Sequence, residues 1–210
     1  MRALLVVLCL LAGAASAEEI LADRVSAVVG NTPITASQVA LDEELVALLP
    51  DEGCEESFGR LLCDDAVPLQ RLVFRQVLRE AGLGRNVEVS SLAGVERWTA
   101  LEARFANREE ARAWLARWGL DPQEVSERFL ELARLDQAID VAVGRLVRDV
   151  SEQDERRYHR EHQDTIFAGK PYEEVSAVVS RRYYLLVFER TYDAWASELR
   201  AAARVRYISR

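Results

Sequence analysis

Only two stretches of this chain read as β-strand, and they lie at opposite ends of it. The first opens DRVSAVVGNTPITASQVALDEELVALL, from Asp23 to Leu49. Arg24 to Val29 is rich in β-branched residues, which suit a half-buried pleated surface. Gly30-Asn31-Thr32-Pro33 carries turn chemistry, because Gly and Asn tolerate positive φ. Ile34-Thr35 resumes the extended chain, and Pro33 confines it to a sheet edge. Thr35 with Gln38 forms a capping-box pair for the helix that follows, whose apolar stripe is Leu41, Leu45 and Leu48. A lone hairpin is marginal in water. The other strand is Arg204 to Ile208, so the expectation is that the two ends meet in one small sheet. Everything between them reads as helix.

The expected fold class is therefore mainly α, in one domain spanning 18–210. A helical lobe covers about 67–147, and a long helix at 171–203 closes the module. Pro68 begins a helix that Asp65 can cap, and Gly82 and Gly84 end it. Ser90 can cap another, reaching Phe105. Asn107 with Glu110 starts a third, which stops at Gly119. Asp121-Pro122-Gln123-Glu124 is a strong start signal. The helix it opens runs to about Val147, with a stripe of Val125, Phe129, Leu132, Leu135, Ile139, Val143 and Leu146. Ser151 and Asp154 open a charged helix, and Thr165 to Lys170 break the chain. The last helix runs without Pro or Gly, on the order of 50 Å long at 1.5 Å per residue.

The first residues carry a different signal. Arg2, the apolar run Ala3–Leu11 and the small residues Ala15-Ser16-Ala17 read as a secretory signal peptide at 1–17, cleaved after Ala17. The run is too short to span a bilayer, and no other stretch could. Losing Arg2 takes the net charge from −8 to −9. An acidic chain without a basic cluster argues against nucleic acid and anionic membranes as partners. Cys54 and Cys63, in CEESFGRLLC, read as a structural disulfide in an oxidising compartment, with free or redox-active thiols as the other reading. The 50–66 segment around them reads as an acidic loop.

The order of elements resembles SurA-type periplasmic chaperones and their foldase relatives. The resemblance rests on DRVSAVVGNTPITASQV, LQRLVFRQVLREAG, VSEQDERRYHREHQDTI, GKPYEEVSAVV and WASELRAAARVRYI, in the family's order. It covers nearly all of 18–210. In those families a parvulin-type prolyl isomerase domain usually sits between the last two helices. Here only Thr165 to Lys170 separates them, and the active-site histidines and Gly-Gly-Asp-Leu-Gly stretch of that domain are missing. The resemblance therefore implies the chaperone module without the isomerase, and no enzyme activity.

What it implies is a periplasmic, ATP-independent holdase for unfolded exported polypeptides, including outer-membrane β-barrel precursors. A scaffold subunit that binds one specific folded envelope partner is the alternative. Such a chaperone needs apolar surface, and aromatics give large, partner-tolerant contact area. Trp98, Leu101, Phe105, Trp114 and Trp118 are the candidate client-binding residues, with a helical core as the competing reading for the same set. His159 and His162 have a spacing that can serve a metal, but a solvated, mixed-charge helix surface accounts for them. No cofactor and no metal is expected.

Overall fold

The computed structural model describes residues 23–50, 52–64, 66–147 and 150–208. The expected signal peptide and the Asp65 cap lie outside the described residues.

Both chain ends do meet in one antiparallel sheet. β1 (Val25–Val29) lies in the middle, β2 (Thr32–Thr35) on one edge and β3 (Val205–Tyr207) on the other. Val28 faces Pro33 on one side and Arg206 on the other. Gly30 turns the hairpin at φ +57°, a conformation only glycine adopts without strain. One face of the sheet is apolar: Ala27, Val29 and Ile34 are buried against Val73 and Val77.

Those two valines belong to α4 (Pro68–Glu80), which follows three shorter helices. The first, α1 (Ala36–Ala47), starts with the expected capping box. Thr35 Oγ1 accepts from the Gln38 amide, and Gln38 Oε1 accepts from the Thr35 amide at 2.9 Å. Leu41, Leu45 and Leu48 of the predicted stripe are half-buried against the core. The expected loop at 50–66 is instead organised as α2 (Cys54–Phe58) and α3 (Arg60–Cys63). Helices this short do not persist on propensity alone. Burial sustains them, since Phe58, Leu61 and Leu62 are in the core. Gly59 joins them at φ +85°, pressed on Asp136 and Arg97 where a Cβ would overlap both. The Cys54–Cys63 disulfide closes the pair with Cα atoms 5.9 Å apart.

α5 (Leu92–Glu102) is shorter than expected at both ends. Ser90 does not cap it from the N-cap position, although its hydroxyl accepts from the Leu92 amide at 3.2 Å. At the other end Arg104 and Phe105 donate three residues back, to Leu101 and Glu102, which tightens the chain into turns. α6 (Arg108–Trp118) runs from the Asn107 cap to Gly119, and α7 (Pro122–Leu146) from the Asp121–Glu124 capping box. α5 and α7 pack closely because Gly94 sits on the Ser126 carbonyl, with no room for a side chain. The predicted α7 stripe is buried except for Leu146, which is 53% exposed beyond the last core layer.

α8 (Glu152–His162) and α9 (Tyr172–Ala202) form a hairpin. α9 starts against α8, crosses α7 and α4, and hands the chain to β3. His159 does not lie on a solvated surface as expected, whereas His162 is half-exposed. His159 is buried, with Nε2 2.9 Å from the Lys170 carbonyl and its ring 5.2 Å from that of Phe167. Tyr158 stacks near His162, Phe167 and Tyr183. This aromatic cluster is separate from the main core.

Candidate binding groove

The aromatic candidates divide by burial. Trp98 and Leu101 belong to the core, where a client cannot reach them in this conformation, and Trp114 is also buried but borders the groove described below. Phe105 is half-buried, its ring 5.9 Å from that of Trp114. Trp118, in the last turn of α6, is also half-buried and opens onto a groove of about 430 Å³. Of the five candidates, Trp114 and Trp118 line that groove.

The groove lies where the hairpin and α1 face the helical lobe. Pro33, Ile34, Leu41 and Leu45 form one wall. Leu120, Val125, Phe129 and Leu132 form the opposite one, and Leu72 of α4 lies between them. Two polar latches bridge it. Glu44 of α1 accepts from the Trp118 indole at 2.8 Å and pairs with Arg117. Arg79 of α4 donates to Glu131 of α7 through Nε at 2.6 Å and Nη2 at 3.2 Å. Both latches are partly exposed, so each holds geometry more than it adds stability. The Trp114 indole N–H is buried and finds no acceptor among the described residues.

Beneath the groove sits a charged cluster that sequence reading missed. Asp42 of α1 is buried and takes Arg71 Nε at 2.9 Å and Arg75 Nη1 at 2.5 Å. Arg75 also donates to the Leu61 carbonyl at 2.6 and 3.1 Å. Arg71 reaches the carbonyls of Asp64 and Ala66. Burial lowers the Arg75 pKa, and Asp42 opposes that shift. On the other side of the disulfide segment, Asp136 accepts from the Leu61 amide at 3.0 Å and pairs with Arg97 at 3.1 Å. Burial raises the Asp136 pKa against the pull of the Leu61 amide and Arg97. Arg60 completes the ring with a bidentate bond to Glu189 of α9, at 2.8 and 2.9 Å.

The disulfide segment is thus tied by charged groups to α1, α4, α5, α7 and α9. Arg71 and Arg75 stand four apart on α4, a spacing that in sequence reads as ordinary helix-surface charge. Chemically, the groove offers apolar contact area with mixed charge at its rim. Among the described residues no cluster of His, Cys, Asp and Glu could hold a metal ion. No described helix is long and apolar enough to cross a membrane.

No model of a known protein family matches the chain, and no curated protein matches it.

Proposed function

We propose that this protein is an exported, ATP-independent holdase that shields unfolded polypeptides in the periplasm, outer-membrane β-barrel precursors among them. The groove beside β2 carries this reading: an open, largely apolar cleft ending at a half-buried tryptophan. The SurA-type order of elements and the signal-peptide pattern of residues 1–17 agree with it. Burying one large apolar side chain is worth about 1.5–3 kcal/mol. A groove of about 430 Å³ seats only a few such side chains, so each engagement is weak. Weak seats suit transient capture, with release that needs no nucleotide. The acidic surface keeps loaded complexes soluble.

The test is dilution of a urea-unfolded outer-membrane barrel protein into buffer with or without the 18–210 chain. The holdase suppresses light scattering at near-stoichiometric ratios, and Trp118→Ala combined with Leu41→Asp abolishes the suppression. A folded protein that leaves scattering unchanged sinks the reading.

The scaffold alternative also has an observation in its favour. Val178, Tyr184 and Leu185 are exposed on α9, away from the groove residues. A single folded partner would bury that patch with one fixed stoichiometry, which titration calorimetry separates from weak binding to many unfolded chains.

A further inference from the structure

Among the described residues the sheet has one closed edge and one open edge. In the middle strand, Gly30 donates to the Arg204 carbonyl at 2.9 Å and Ser26 accepts from Ile208 at 3.0 Å. Backbone groups alternate along a strand. The N–H and C=O of Val28 therefore also face β3, and those of Ala27 and Val29 face β2. On β2 this turns Thr32 and Ile34 inward and leaves Pro33 outward, without an N–H to offer. The next outward amide, that of Thr35, is taken by Gln38. β2 presents no free donor.

β3 is the opposite case. Arg204, Arg206 and Ile208 turn their backbone groups to β1, so the N–H and C=O of Val205 and Tyr207 point to the open side. Tyr207 is 59% exposed and Ile208 52%, and Arg206 is exposed beside them. This edge also has a distinct charge. In a chain of net charge −8, the stretch from Leu199 to Arg210 holds Arg200, Arg204, Arg206 and Arg210 and no acid. Neither Arg204 nor Arg206 forms an ion pair among the described residues.

We propose that the free edge of β3 is a strand-addition site for an extended acidic segment of a partner polypeptide, one that alternates acidic with apolar residues. Strand addition draws affinity from main-chain hydrogen bonds and specificity from alternate side chains. An incoming antiparallel strand meets four backbone groups, on Val205 and Tyr207. Its residues opposite Arg204 and Arg206 lie on the outer face, where a carboxylate is favoured. Those opposite Val205 and Tyr207 lie on the inner face, next to the apolar layer. A second copy of this chain is a poor occupant. Pairing two β3 strands through Val205 and Tyr207 sets Arg206 directly opposite its own copy, and like charges so placed repel. Short charged edges also serve to prevent pairing altogether, and the experiment separates that role from recruitment.

The probe is a fluorescein-labelled peptide, Val-Glu-Val-Glu-Phe-Glu-Val, titrated with the 18–210 chain and followed by anisotropy. A lysine-for-glutamate version and a version N-methylated at alternate amides are the comparisons. The acidic peptide binds saturably, and the lysine peptide does not. N-methylation weakens binding roughly tenfold or more, the loss of about 1.4 kcal/mol of main-chain hydrogen bonding. Tyr207→Pro removes one outward N–H, costs the sheet no internal bond, and reproduces that loss. Arg204→Glu with Arg206→Glu transfers the preference to the lysine peptide. The N-methylated peptide on the unaltered chain keeps the test valid if a variant misfolds. Trp118→Ala leaves peptide binding intact, so this site stands or falls apart from the groove. Equal binding of the methylated and plain peptides overturns the proposal, and so does no binding at all. A dimer abolished by Tyr207→Pro assigns the edge to a second copy instead.

Discussion

The disulfide segment and the turn that joins α8 to α9 are similar in length, and each is held in place by side-chain contacts. The means differ. At the disulfide segment, charged groups from α1, α4, α5, α7 and α9 converge on backbone atoms and on one another. At the α8–α9 turn, ring and amide groups do the holding: His159 bonds the Lys170 carbonyl, Gln163 bonds the Gly169 and Lys170 carbonyls, and Phe167 fills the space between. The first set of contacts joins elements far apart in the chain. The second joins neighbours. Failure of the first is therefore global, and failure of the second stays local.

Asp42→Ala breaks this comparison at its strongest point. It leaves two buried guanidinium groups unpaired, a loss of about 3–5 kcal/mol, read as a lower urea midpoint with an unchanged slope. A loss no larger than that of a surface substitution would remove the cluster from its central position. Phe167→Ala creates a cavity worth about 3 kcal/mol, but within the hairpin alone. Hydrogen exchange shows lost protection in α8 and the start of α9, while α7 keeps its own. Matching losses in α7 would merge the two regions into one cooperative unit.

Replacing Cys54 and Cys63 by serine lowers stability by about 2–3 kcal/mol in the chain-entropy model. Because charged groups also pin the segment, the variant still folds with Phe58 buried; a molten disulfide segment would show the ion pairs to be secondary. The smallest effect is an alkaline one. Burial, with Asp64 adding, pushes the Tyr192 phenol up to about 12 from 10.0. The folded state thus holds this proton more tightly than the unfolded chain does. Its contribution is complete below pH 10 and lost as pH rises through about 12. Screening by solvent limits it to roughly 1–2 kcal/mol. Tyr192→Phe flattens the profile in that window, and tyrosinate absorbance follows the titration directly.

Local chemistry made much of the fold readable. Capping boxes at Thr35 and Asp121, the Asn107 and Ser151 caps and Gly119 each marked a boundary that the structure keeps. The pairing of the two ends was legible because no other stretch could complete the sheet. What escaped was set by tertiary contact. Nothing in CEESFGRLLC signals two helices, since burial of Phe58, Leu61 and Leu62 makes them. The Asp42 cluster resembles ordinary surface charge until α1 and α4 are packed together. His159 reads as a polar helix residue until residues 167–172 fold back over it. Of the aromatic candidates, Trp118 could be singled out by its place at a helix end. Burial of Trp98, Leu101 and Trp114 depends on how α5, α6 and α7 close on one another.

The middle strand has one neighbour supplied within a few residues and the other supplied almost at the last. A chain emerging in order can form the hairpin and the helices early. The sheet can close only after β3 has been delivered. Closing so long a loop is entropically expensive and slows the final step. Until then the β3-facing edge of β1 is exposed. β3 is thus the strand that covers the edge which the earlier elements leave unpaired.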